Sequence, residues 1–143
     1  MGTTDRDSAT LARRYPPPRV SSRHRNGLRR GFRYACEGLR YATSTQPNFR
    51  IHLAAAVGVV LLGLWMELPL VSWAILSLTI GGVLVTEVLN TAIEAVVDLV
   101  SPDDHILAKH AKDLAAAAVL LAAITSVIVG FIVLGPPLLA RVR

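Results

Sequence analysis

The chain has 143 residues, 52% of them hydrophobic, with a formal net charge of +5 and a mean hydropathy of +0.48. That apolar fraction is high for a soluble domain of this size, and it is unevenly spread: residues 51–108 hold no Lys or Arg, residues 114–140 hold no charge, and eleven of the fifteen basic residues lie in the first fifty positions. A basic head on an oily body excludes nucleic-acid binding as the main reading, since that needs a folded basic face, and a lone Cys36 excludes an intramolecular disulfide.

Residues 1–26 read as a disordered basic tail, with Tyr15-Pro16-Pro17-Pro18, several Arg, Ser and Thr, and few large aliphatics. Positions 1–48 contain no apolar run of the length a secretory signal needs. From residue 27 the pattern changes. Phe32, Ala35, Cys36, Leu39 and Ala42 recur at spacings of three and four, with Arg29, Arg30, Arg33, Glu37 and Arg40 on the other side. This predicts a basic amphipathic helix over 27–45, suited to the membrane interface. Gln46-Pro47 breaks it, because a proline disfavours helix in the residue before it.

Three membrane helices follow, over 48–66, 70–100 and 106–134. Trp65 is an interfacial anchor, Glu67-Leu68-Pro69 a tight turn, and Gly135-Pro136-Pro137 the expected stop of the last helix. The second span is apolar to Thr86 and then continues in helical register, which carries its last turns out to the membrane surface. Ser101-Pro102-Asp103-Asp104 ends it, with the two aspartates read as a solvated cap. The expected fold is therefore all-α and integral to the membrane, with residues 27–143 as one embedded domain of three transmembrane helices and a surface helix. The arginine-rich head goes on the cytoplasmic side, and so does the Asp103 loop.

Ionisable residues at a membrane-helix core are costly, which makes them functional candidates. Glu87, Asn90, Glu94 and Asp98 lie at i, i+3, i+7 and i+11, on one stripe bordered by Thr91. Lys109, Lys112 and Asp113, in the first turns after the loop, enter from the same side and face that stripe, and the run Ala115-Ala116-Ala117-Ala118 permits close helix approach. Carboxylates here could bind Mg²⁺ together with substrate phosphates, a lysine could neutralise phosphate charge, and a metal-free carboxylate could serve as a base. The phosphate-cradling loop of P-loop enzymes and the protein-kinase motifs are absent from the sequence. Periodicity and charge alone leave an enzyme and a carboxylate-lined transporter or channel subunit equally open. His105 reads as a loop residue, not a metal ligand.

The stretch Glu87-Val-Leu-Asn-Thr-Ala-Ile-Glu-Ala-Val-Val-Asp98 resembles the signature of the prokaryotic diacylglycerol kinase family, which includes the undecaprenol kinases. Ala108-Lys-His-Ala-Lys-Asp-Leu-Ala-Ala-Ala-Ala-Val119 is similar to its second block; Phe32-Arg-Tyr-Ala, Gly38-Leu-Arg40 and Asn48-Phe-Arg-Ile-His52 are similar to its amino-terminal region. The resemblance implies a lipid kinase of the bacterial plasma membrane that uses Mg²⁺ and ATP. It also implies a homotrimer with composite active sites on the cytoplasmic side. By position it implies Glu87 as general base, with Asn90 and Asp98 supporting it. Glu94 becomes a metal ligand at the nucleotide, Lys112 and Asp113 nucleotide contacts, and Arg40 and Arg50 interface candidates. Where the family often has a second metal-binding glutamate this chain has Gln46, which offers a carbonyl oxygen without charge. Asn48-Phe-Arg-Ile-His52 looks more like the undecaprenol kinase branch, with diacylglycerol the alternative substrate.

Overall fold

The computed structural model describes residues 27–101 and 105–142. The expected basic tail over 1–26 and the Asp103-Asp104 cap lie outside the described residues. Four helices occur in chain order: α1 (Gly27–Thr45), α2 (Pro47–Trp65), α3 (Leu70–Val100) and α4 (Ile106–Val142). The chain divides into two units, Met1–Cys36 and Glu37–Arg143. In the described part of the first, Leu28 and Phe32 are largely exposed, as the apolar side of an amphipathic helix is before it meets lipid.

Within the second unit, Gln46 is shared between two helices. Its N–H donates to the Ala42 carbonyl at 2.9 Å and closes α1, while its own carbonyl accepts from the Arg50 N–H at 3.4 Å and opens α2. Its backbone is extended (φ −102°, ψ 109°), as the following Pro47 requires, and Pro47 sits in the first turn of α2 where no donor is needed.

The turn from α2 to α3 is a Schellman motif. The Leu68 N–H donates to the Gly63 carbonyl and the Glu67 N–H to the Leu64 carbonyl, both at 3.2 Å. Glu67 takes the left-handed position (φ 57°) that glycine normally fills. An L-residue there costs roughly 1–2 kcal/mol, so Glu67→Gly is expected to raise the unfolding temperature in detergent micelles. The exposed contact it would lose, Glu67 to Arg141 at 3.7 Å, contributes little.

Three helices, α2, α3 and α4, are long and apolar enough to cross a membrane. With 31 and 37 residues, α3 and α4 exceed the ~20 residues that cross a hydrocarbon core. The main seam is α3 against α4, with a lesser one between α2 and α3. On α4 the seam buries Ala115 and Val119, where the small Ala115 lets the two backbones approach. At the α2–α3 turn Met66, Leu68 and Leu76 form an apolar cluster, flanked by Trp73, Val133 and Leu134.

One boundary differs from the sequence-based expectation. α4 does not stop at residue 134 but runs through Pro136 and Pro137 to Val142. The prolines remove the bonds that residues 132 and 133 would accept. Tertiary contacts hold the helix on both sides of that gap. Val133 and Leu134 pack on the turn cluster, and the Arg141 guanidinium lies 5.2 Å from the Trp65 ring centroid and 3.7 Å from Glu67 Oε1.

Candidate active site

The buried face of α3 carries Leu76, Val83, Glu87, Asn90 and Thr91. It begins as an ordinary apolar seam and turns polar halfway along. Glu87 is only 2% exposed, the most deeply buried large side chain among the described residues. A buried polar group without a partner is costly, and most are paired. Glu87 Oε2 has no hydrogen-bond partner. The hydroxyls beside it are committed elsewhere. Thr91 donates to the Glu87 carbonyl at 3.0 Å, and Thr86 lies within 3.0 Å of the Gly82 carbonyl and 2.9 Å of the Val83 carbonyl. These backbone bonds to the preceding turn leave the carboxylate as an acceptor awaiting a donor.

One turn on, the Asn90 side-chain N–H donates to Glu94 Oε1 at 3.0 Å, while Asn90 Oδ1 is buried without a partner. Asn90 therefore orients Glu94 and keeps its own carbonyl oxygen free. Glu94 is half-buried, and Asp98, a further turn along, is exposed. The stripe thus climbs from a buried carboxylate to a solvated one.

α4 supplies the cation. Lys112 Nζ reaches across the seam and donates to Asp98 Oδ1. The expectation that Asp113 also faces the stripe does not hold. Asp113 accepts from Lys109 at 2.6 Å on its own helix, and both are more than half exposed. The reason is rotation: residues 109 and 113 are one turn apart on a single face, whereas residue 112 lies on the side turned to α3. His105, expected as a loop residue, stands just before α4 and caps it, its Nδ1 accepting from the Leu107 N–H at 3.2 Å.

The structure therefore places Glu87, Asn90, Glu94 and Asp98 along α3, joins Asn90 to Glu94, and brings Lys112 of α4 to Asp98. Arg40 and Arg50 are exposed and Gln46 half-buried, and among the described residues no hydrogen bond or ion pair joins their side chains to the stripe. The two committed threonine hydroxyls were not legible beforehand; their only signal was adjacency to the stripe.

Mg²⁺ suits this donor set. No three His, Cys, Asp or Glu side chains cluster as a metal site among the described residues, but Mg²⁺ needs only one or two carboxylates beside substrate phosphates. Glu94, already oriented by Asn90, has the chemistry such a ligand needs. Gln46 makes no side-chain cap bond, so its amide carbonyl is not consumed by α2.

Comparison with known proteins identifies the family. The family model described as prokaryotic diacylglycerol kinase matches residues 33–134. A diacylglycerol kinase of Synechocystis is 53% identical over 110 residues, covering 76% of this chain and 63% of that protein. The undecaprenol kinase of Bacillus subtilis is 44% identical over 121 residues, covering 82% of this chain and 98% of the relative. The diacylglycerol kinase of Escherichia coli K12 is 37% identical over 101 residues, 71% of this chain and 83% of that protein. These likenesses leave no ground for the transporter or channel-subunit reading.

Proposed function

The chain belongs to the prokaryotic diacylglycerol kinase family, a family of membrane lipid kinases that use ATP, and on that premise we propose that it transfers the γ-phosphoryl group of ATP to the hydroxyl of undecaprenol. Diacylglycerol is the second reading. The observation that carries the reaction is Glu87, a carboxylate 2% exposed whose Oε2 lacks a donor. A lipid hydroxyl entering beside it donates to Oε2. As the hydroxyl oxygen bonds to the γ-phosphorus and the bond to the bridging oxygen breaks, the hydroxyl proton passes to Glu87 and ADP leaves. Asn90 keeps Glu94 in place, and Asn90 and Asp98 support the site from one helix face. Lys112 holds phosphate charge, with Asp113 at its edge. Glu94 and the Gln46 amide carbonyl would hold Mg²⁺, which when bound would neutralise charge on the phosphate oxygens. Arg40 and Arg50 sit at the lipid interface.

Undecaprenol is favoured because its kinase in Bacillus subtilis is matched nearly end to end, and because Asn48-Phe-Arg-Ile-His52 looks like that branch. Lysines and arginines mark the cytoplasmic side of a membrane protein, so the N-terminus and the site face the cytoplasm of a bacterial cell. Three thin helices make a poor core alone and the charged stripe needs a partner surface, which suits a homotrimer with sites shared between protomers.

The test offers undecaprenol and diacylglycerol in parallel, with ATP labelled at the γ-phosphate, to the purified protein in micelles. Label in undecaprenol is the expected result. Label only in diacylglycerol selects the second reading, and label in neither removes the kinase proposal. Two further outcomes are expected. Gln46→Glu adds a charge at the metal and should lower the Mg²⁺ concentration for half-maximal rate by about three- to tenfold, a shift of roughly 1 kcal/mol; a Mg²⁺ titration checks it. With Cys36, the sole cysteine, changed to Ser, an Arg29→Cys variant on the polar side of α1 should react with a membrane-impermeant maleimide in inside-out vesicles and not in intact cells.

A further inference from the structure

The ion pair between Lys112 and Asp98 crosses from α4 to α3, and its side chains are 39% and 64% exposed. It differs from its neighbour Lys109–Asp113, which stays on one helix and ties nothing together. Lys112 also lies within electrostatic reach of Glu94. Among the described residues of α4, the cation turned toward the acidic stripe is therefore already paired before any phosphate arrives. A partly solvated pair of this kind is weak, and so readily exchanged for a better partner. A triphosphate offers the same ammonium several oxygens and more charge.

Building on the proposed role of Lys112 as the phosphate contact, we infer that Asp98 is a positioning residue that acts as a stand-in for the nucleotide phosphate. It holds the Lys112 ammonium at the α3–α4 seam in the nucleotide-free protein and yields it when the triphosphate binds. Asp98 then sets nucleotide affinity in a definite direction. Each binding event first breaks the pair, and apparent affinity falls in proportion to the fraction of protein whose Lys112 is free. For a weak, exposed pair that is a weakening of about fivefold. A carboxylate that touched nucleotide or its metal directly would have the opposite effect, because its removal would weaken binding.

The experiment is equilibrium binding of a non-hydrolysable Mg-ATP analogue to the full chain in micelles. It compares wild type, Asp98→Asn, Asp98→Glu, Lys112→Met and the Asp98→Asn/Lys112→Met double variant, with helical content and oligomer size as folding controls. Asp98→Asn is expected to bind about fivefold tighter, Asp98→Glu close to wild type, and Lys112→Met weaker. The gain from Asp98→Asn should vanish in the Lys112→Met background, because the effect runs through that one ammonium. Weaker binding by Asp98→Asn overturns the inference and makes Asp98 a direct ligand. Equal tightening in both backgrounds also overturns it, since the effect would then be diffuse charge. Should Lys112→Met bind as wild type does, the phosphate role of Lys112 fails and the stand-in falls with it. When Lys112→Met weakens binding and Asp98→Asn leaves it unchanged, only the stand-in is lost and the pair is a seam fastening.

Discussion

Glu87→Gln is expected to lower kcat by about 10²- to 10⁴-fold, the usual cost of losing a positioned base. The change keeps the volume of a side chain that is 2% exposed, so no cavity opens. It also replaces a buried ionisable group by a neutral one, so thermal stability in micelles should hold or rise. The new amide can donate to Asn90 Oδ1, an acceptor now without a partner. Binding of the Mg-ATP analogue should change little, because the phosphate contact assigned to Lys112 is untouched. Steady-state kinetics with a saturating lipid acceptor, beside a melting curve, check both halves. A variant that keeps activity within about tenfold of wild type would remove Glu87 from the base role; one that loses activity and melting temperature together would make it structural.

The second large effect is on stability and lies at the other end of the bundle. A Cβ at Gly63 would stand 3.0 Å from Trp73 Cη2 and 3.1 Å from Leu68 Cδ1. Gly63→Val forces that indole or the Schellman turn to shift, and overpacking of this kind costs typically ~1–3 kcal/mol. The melting temperature should fall clearly. Activity per folded molecule should stay within about twofold, because the turn and Glu87 are separated by about 25 Å of α3 at ~1.5 Å per residue. Thermal unfolding and a specific-activity assay at low temperature separate the two. Loss of specific activity in the folded variant would show that the turn is coupled to the site.

Much of this molecule is written in one dimension. A charge inside an oily stretch is visible without knowing what surrounds it, and helical period alone places Glu87, Asn90, Glu94 and Asp98 on one stripe. Run length and the density of arginines mark three apolar helices and a basic surface helix, because hydropathy and helix geometry are local properties. The resemblance carried by the Glu87–Asp98 and Ala108–Val119 blocks named the family from the same local text. What needed the third dimension was pairing. The charges of α4 could all face the stripe in a linear reading, yet only Lys112 does, since Asp113 turns back to Lys109. Burial is likewise graded along one stripe, from Glu87 buried within the bundle to Asp98 in the open. Gly135-Pro136-Pro137 reads as a stop, and α4 passes through it because Val133, Leu134 and Arg141 are held by residues some seventy positions earlier. The sequence by itself singled out the residues proposed to carry the chemistry and placed them on helices long and apolar enough to cross a membrane. Only the tertiary structure decided which of them meet, since a non-local contact depends on the rotation and depth at which two helices pack.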